Sequence, residues 1–286
     1  LASDDAQPAA KSELLTRIVS AVVLAPVALA AVMFGSIPLA LLVSVVAAIA
    51  FWEWTAIGRA EEPSWARSIG ALCLVAGLLG VTAFGTNAIL LIATAGVLAG
   101  LAGLRDPRLR WMGLGLAYVA VPCAGFLLLR QSEPFGLAAV LFILIVVWAT
   151  DVAAYFGGRA FGGPRLWPAV SPKKTWSGAL SGLAAAALAG AATVSLAGAG
   201  DFRTGLLLAL PLSIAAQAGD LFESAVKRRF GVKDSGRIIP GHGGVLDRVD
   251  GLFGAAALAW LLAVLGLGGS TLSLPGAFVP IGGSVP

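Results

Sequence analysis

Apolar residues in this chain fall into long runs that polar residues interrupt only briefly. Nine runs stand out: Ile18 to Gly35, Leu39 to Ile57, Ser68 to Gly85, Ala88 to Leu104, Trp111 to Leu129, Leu137 to Gly157, Gly178 to Ala197, Gly205 to Ala225, and Asp250 to Leu267. Each is close to the ~20 residues that a helix needs to cross the hydrocarbon of a bilayer. None alternates with the period of two that a barrel strand would show. Water is absent from the bilayer core, so a helix is the form in which every backbone N–H and C=O of such a run finds a partner. The pattern predicts an all-α, polytopic integral membrane protein with about nine transmembrane helices.

Composition strengthens that expectation. The chain is 58% hydrophobic and 12% charged, with a mean hydropathy of +0.92, whereas a soluble domain carries roughly 25% charged residues. The first run follows Lys11 and Arg17 and is read as an anchor instead of a cleaved secretory signal. Seventeen of the nineteen Lys and Arg residues fall on one side of the predicted bundle, and only Arg130 and Arg203 fall on the other. By the positive-inside rule the N-terminus and the longer loops are cytoplasmic. The predicted organisation is a cytoplasmic tip at 1–17, N-terminal membrane helices over 18–130, catalytic helices and loops over 131–269, and a tail at 270–286.

Cys73 and Cys123 lie inside apolar runs without metal or disulfide spacing and are expected to be small buried hydrophobes. Glycine pairs such as Gly96 with Gly100 and Gly178 with Gly182 are expected to let helices approach closely. No stripe of basic and aromatic residues suggests nucleic acid.

Charge inside the runs changes the picture, because an ionised carboxylate at mid-bilayer costs roughly 2.5 to 3.5 kcal/mol on insertion scales. Asp220, Glu223, Ser224 and Lys227 recur at i, i+3, i+4 and i+7, so they occupy one helix face, with Arg228 beside them. Asp151 precedes Tyr155 and Arg159, with a break expected at Gly157-Gly158. Glu53, between Trp52 and Trp54, is expected at the wet interface.

Two connections complete the inventory. Ser171-Pro172-Lys173-Lys174-Thr175-Trp176-Ser177-Gly178 offers ammonium groups and hydroxyls just before a helix, which suits phosphate. The second, Ser224 to Asp250, holds six of the nineteen Lys and Arg residues and the single histidine, His242. There Pro240-Gly241-His242-Gly243-Gly244 allows close backbone approach, and Asp247 and Asp250 share a helix face. Acids without Cys or several His favour a hard cation such as Mg²⁺. His242 is read as a phosphate or base contact.

These segments resemble the phosphatidate cytidylyltransferases. The resemblance is carried by Ser224-x-Val226-Lys227-Arg228, Lys233-Asp234, Gly236, and Pro240-x-His242-Gly243-Gly244-x-x-Asp247-Arg248-x-Asp250. Asp151 to Gly158, Ser171 to Gly178 and Gly219-Asp220 add further landmarks. It covers about Asp151 to Asp250; the earlier residues match only as membrane helices. The resemblance implies Mg²⁺-dependent transfer of the cytidylyl group of CTP to phosphatidic acid, giving CDP-diacylglycerol and pyrophosphate.

It further implies Asp220 and Asp247 as central metal ligands, with Asp151, Glu223 and Asp250 as further ligands or their support, and it leaves a second cation open. Lys173, Lys174, Lys227, Arg228 and Arg248 would neutralise phosphates. Ser171, Thr175 and Ser224 would offer hydroxyls, and His242, Gly243 and Gly244 would contact substrate. A homodimer and lateral entry of acyl chains also follow from the resemblance; the topology of the positive charges puts the site at the cytoplasmic face, and the compact architecture points to a bacterial inner membrane. The alternatives are a related CTP-dependent enzyme acting on another lipid, and a secondary transporter coupling a cation at Asp151, Asp220 and Glu223.

Overall fold

The structure is a computed structural model that describes residues 22–58, 64–85, 106–239 and 243–273. Helix α1 is Val22–Phe34. It is followed by α2 (Ser36–Ile57), α3 (Ser64–Phe84), α4 (Pro107–Arg130), α5 (Gly136–Phe161), strands β1 (Arg165–Trp167) and β2 (Ser171–Thr175), α6 (Trp176–Leu196), α7 (Phe202–Arg229) and α8 (Leu246–Val264). Six of these, α2 to α7, are long and apolar enough to cross a bilayer. The chain is therefore a mostly helical integral membrane protein. Helix α1 is shorter, and α8 carries Asp247, Arg248 and Asp250 in its opening turns. The tip at 1–17, the run Ala88 to Leu104, Gly96 and Gly100, and the tail from residue 274 lie outside the described residues.

Lipid tails are as apolar as leucine, so these helices associate through close packing and not by escaping water. Small residues make the seams. A Cβ on Gly178 would stand 2.7 Å from Ala154 O, and one on Gly182 would stand 2.7 Å from Thr150 O, so α6 lies directly on α5. A Cβ on Gly219 would stand 2.5 Å from Asp250 O, so α7 and α8 touch backbone to backbone beside two acids. Thr150 and Ser213 join α5 to α7 through a buried hydroxyl pair 2.7 Å apart. Helix α4 is the most enclosed span and packs on α2, α3, α5 and α8.

Two sequence expectations, the break in α5 and the burial of Cys73, need correction. Helix α5 runs unbroken through Gly157-Gly158 to Phe161. Neither glycine has a positive φ; both make room, since a Cβ on Gly157 would overlap Ser181 Oγ and one on Gly158 would meet Thr175 Oγ1 at 2.9 Å. The connection after α5 is a short antiparallel hairpin pairing Arg165 with Thr175 and Trp167 with Ser171, a small addition to an otherwise helical fold. Cys73 is exposed on the outer face of α3, whereas Cys123 is buried.

The two ends of the bundle differ. At one end, Arg130 donates from Nε to Val32 O (2.9 Å) and from Nη2 to Met33 O (3.1 Å), closing the last turn of α1. Ser270 and Thr271 bond Ala199 O there. The other end gathers the close of α2, α5 and α7, the hairpin, and the start of α6 and α8, through the contacts described next.

Candidate active site

Helix α7 presents its acids and its lysine on one face, and β2 and α8 close over that face. Lys227, 9% exposed, stands 2.5 Å from Glu223 Oε2 on its own helix and 2.5 Å from Asp247 Oδ1 on α8. Lys174 of β2 ion-pairs with Asp220. Ser224 Oγ donates to Asp220 Oδ1 (3.3 Å). Glu223 is fully buried, and its Oε1 has no hydrogen-bond partner. Asp250 lies within electrostatic range of Asp220, Lys227 and Lys174, and Asp151 of α5 lies within range of Asp220 and Lys174. Five carboxyl groups from three helices thus surround two ammonium groups.

Asp247, ahead of the apolar part of α8, is fixed from several directions. Besides Lys227, it accepts from Ser235 N (3.1 Å) and Gly244 N (3.0 Å), both at Oδ2. Burial alone would raise its carboxyl, but the hydrogen bond and charge of Lys227, with the Gly244 N–H, hold it below the ordinary carboxylate range. Gly243, at φ 82°, turns the loop so that Ile239 N bonds Gly243 O (3.1 Å).

Helix α8, which carries two of the acids, also borders an apolar groove of about 640 Å³ whose other walls come from α1, α2, α4 and α5. Leu29, Val46, Phe126, Trp148 and Leu252 are among its walls, and Arg248 is the one charged side chain among the described residues lining it.

Over residues 15–265 the sequence matches the cytidylyltransferase family. The chain belongs to that family. It is 43% identical to a protein of Brucella suis named phosphatidate cytidylyltransferase, over 89% of this chain and 94% of that protein. Proteins of the same name from Pseudomonas aeruginosa and Bacillus subtilis are 38% and 33% identical, over 85% and 87% of this chain and 96% and 97% of theirs.

In this member of the cytidylyltransferase family, the expected residues separate into those at the cluster and those doing other work. Asp220 joins Lys174 and Ser224, and Glu223 and Asp247 join Lys227, with Asp250 and Asp151 within electrostatic range. Lys173 and Lys174 part company because successive strand residues face opposite ways: Lys173 is exposed, and the contact with Asp220 belongs to Lys174. Thr175 is expected among the phosphate hydroxyls, but it is buried and caps α6, accepting from Gly178 N (3.1 Å) and pairing with Ser177 Oγ (3.0 Å). Ser171 opens β2 and is partly buried. Arg228 turns from the acids to Val170 O and Val232 O, each 3.4 Å away, bracing the hairpin and the following loop. Gly244 supplies an N–H to Asp247. His242 and Pro240 lie outside the described residues.

Two residues are absent from the sequence-based set. Tyr118 of α4 has a buried hydroxyl without a hydrogen-bond partner, within electrostatic range of Asp250, Glu223 and Asp220. Glu53, expected at the wet interface, is 2% exposed and bonded to the loop before α8. Neither has a local sequence signal, because each reaches the site across more than a hundred residues of chain.

Proposed function

We propose that this enzyme transfers the cytidylyl group of CTP to phosphatidic acid, giving CDP-diacylglycerol and pyrophosphate. The observation that carries the proposal is the acid and lysine cluster of α7, α8 and β2, with an apolar groove on α8 that Arg248 helps to line. The names of the Brucella, Pseudomonas and Bacillus relatives support the same activity.

A phosphate oxygen of phosphatidate attacks the α-phosphorus of CTP, and the bond to pyrophosphate breaks in line with it. A phosphate monoester is largely ionised at neutral pH, so no general base is required. What remains is positioning and charge neutralisation. Lys174 and Lys227 supply ammonium groups for the nucleotide phosphates, and Ser224 and Ser171 supply hydroxyls. Arg248, on the groove side of α8, meets the lipid phosphate while the acyl chains enter the groove from the bilayer. Gly243 and Gly244, with His242, border the phosphates.

Two anionic reactants do not gather among five carboxyl groups without an added cation. The residues fit magnesium: Asp220, Asp247 and Asp250 are hard oxygen donors, and buried Glu223 Oε1 lacks a partner. No group of three or more His, Cys, Asp or Glu suited to a metal stands among the described residues, and magnesium commonly takes only one or two carboxylates together with substrate phosphates. Asp151 and Glu223 would support the ligands. When bound, the ion would offset charge on the leaving pyrophosphate.

The rest of the proposal places the site at the cytoplasmic face of a bacterial inner membrane, in a homodimer of about nine spans per chain with a cytoplasmic N-terminus. The excess of Lys and Arg among the site-bearing loops supports that orientation. Purified protein in mixed micelles, given radiolabelled CTP and phosphatidate, is expected to yield labelled CDP-diacylglycerol on thin-layer plates. Labelling of a polyprenol phosphate in preference, or ion uptake without nucleotide turnover, would overturn the proposal.

A further inference from the structure

Helix α8 carries Asp247 and Asp250, yet its own sequence gives it no side-chain cap: Val245 stands at the N-cap position without such a bond. The free N–H groups of a helix start need partners when buried. Here they find one from the other half of the chain. Glu53 of α2 accepts from Val245 N at Oε1 (3.1 Å) and from Leu246 N at Oε2 (2.8 Å), and it takes a third bond at Oε2 from Ser235 Oγ (3.1 Å). Ser235 is shared, since its N–H goes to Asp247. The loop is wrapped directly on the carboxylate: a Cβ on Gly236 would overlap Glu53 Oε1, and one on Gly244 would stand 2.8 Å from Oε2.

The base of this contact is rigid. Trp54, the next residue, stacks on Trp111 of α4 at 4.5 Å, and each indole N–H donates to the other residue's carbonyl, at 3.2 and 3.1 Å. Tyr118 continues the ring cluster to Phe222 of α7 (5.3 Å) and Phe253 of α8 (5.7 Å).

We infer that Glu53 is a positioning residue for the transfer reaction. It touches neither CTP nor lipid; its carboxylate caps α8 from outside and pins Ser235, so that Asp247 is presented to Lys227 and to the metal. The N-terminal helices thereby take part in building the active site as well as anchoring it. This inference rests on the proposed cytidylyl transfer for its kinetic readout, but not for its structural one.

The test uses full-length Glu53→Gln and Glu53→Ala in lipid nanodiscs. Gln keeps the shape and one acceptor; Ala removes all three bonds. Expected are falls in kcat of about 10-fold and about 100-fold, the latter being the scale of an ångström-sized misplacement. The Mg²⁺ concentration for half-maximal rate should rise at least several-fold, with KM for CTP changing less than kcat. Trypsin should cut after exposed Arg237 faster in both variants, with no change at other sites. Wild-type kcat and metal dependence in Glu53→Ala would overturn the inference. So would a loss of rate in Glu53→Gln explained entirely by a smaller folded fraction. If the wild type itself turned over no CTP, the proposed reaction would fail, while unchanged cleavage at Arg237 would separately refute the clamp.

Discussion

Glu53 and Glu223 are both buried glutamates near the same end of the bundle, and they are treated oppositely. Glu53 receives three donors and faces no cation among the bonds described. Glu223 shares one lysine with Asp247 and leaves an oxygen unpartnered. With its hydrogen bonds complete and no ammonium group among them, the Glu53 carboxylate serves the fold. A buried carboxylate left incomplete among other acids carries an electrostatic cost that a bound cation and phosphates can relieve. Degree of satisfaction, more than burial, separates these two glutamates; Asp247, as fully bonded as Glu53, differs from it by its contact with Lys227.

The largest effect expected is at the acids around the lysines. Asp220→Asn or Asp247→Asn should lower turnover on the order of 1000-fold with the helical fold retained, as circular dichroism would show. Near-normal rates would erase the contrast with Glu53. Glu223→Gln should cost about 100-fold and, unlike Glu53→Gln, should leave tryptic cleavage at Arg237 unchanged; faster cleavage would make the two glutamates equivalent.

Lys174→Gln should lower kcat/KM for CTP by about 10-fold or more, the loss of a charged hydrogen bond, whereas exposed Lys173→Gln should stay within about 2-fold. Equal effects would mean that the strand does not sort the two side chains. The smallest effect on activity is expected at the helix seam. Gly182→Ala, crowding Thr150 O, should lower stability by about 1 to 3 kcal/mol in a denaturation titration while folded protein keeps its rate.

Much of the cluster is legible in the sequence because it is helical and local. Asp220, Glu223, Ser224 and Lys227 share a face by periodicity alone, and Asp247 and Asp250 follow the same rule on α8. Lys173 and Lys174 cannot be told apart that way, since Ser171-Pro-Lys-Lys-Thr175 has no alternation of polarity to announce a strand. Gly157-Gly158 reads as a break because glycine lowers helix propensity, whereas the neighbouring Ser181 and Thr175 that require small residues there come from another element. Glu53 is the least legible: its partners are 182 to 193 residues away, and its flanking tryptophans imitate an interfacial belt although Trp54 is buried.

We propose that carboxylates of α7 and α8 together hold a hard divalent cation. Manganese substitutes for magnesium and is visible by electron paramagnetic resonance, so titrating Mn²⁺ into nucleotide-free protein in nanodiscs tests it directly. The wild type should bind Mn²⁺, and both Asp220→Asn and Asp247→Asn should weaken that binding by about 10-fold or more. Binding of equal strength in all three proteins would contradict the claim.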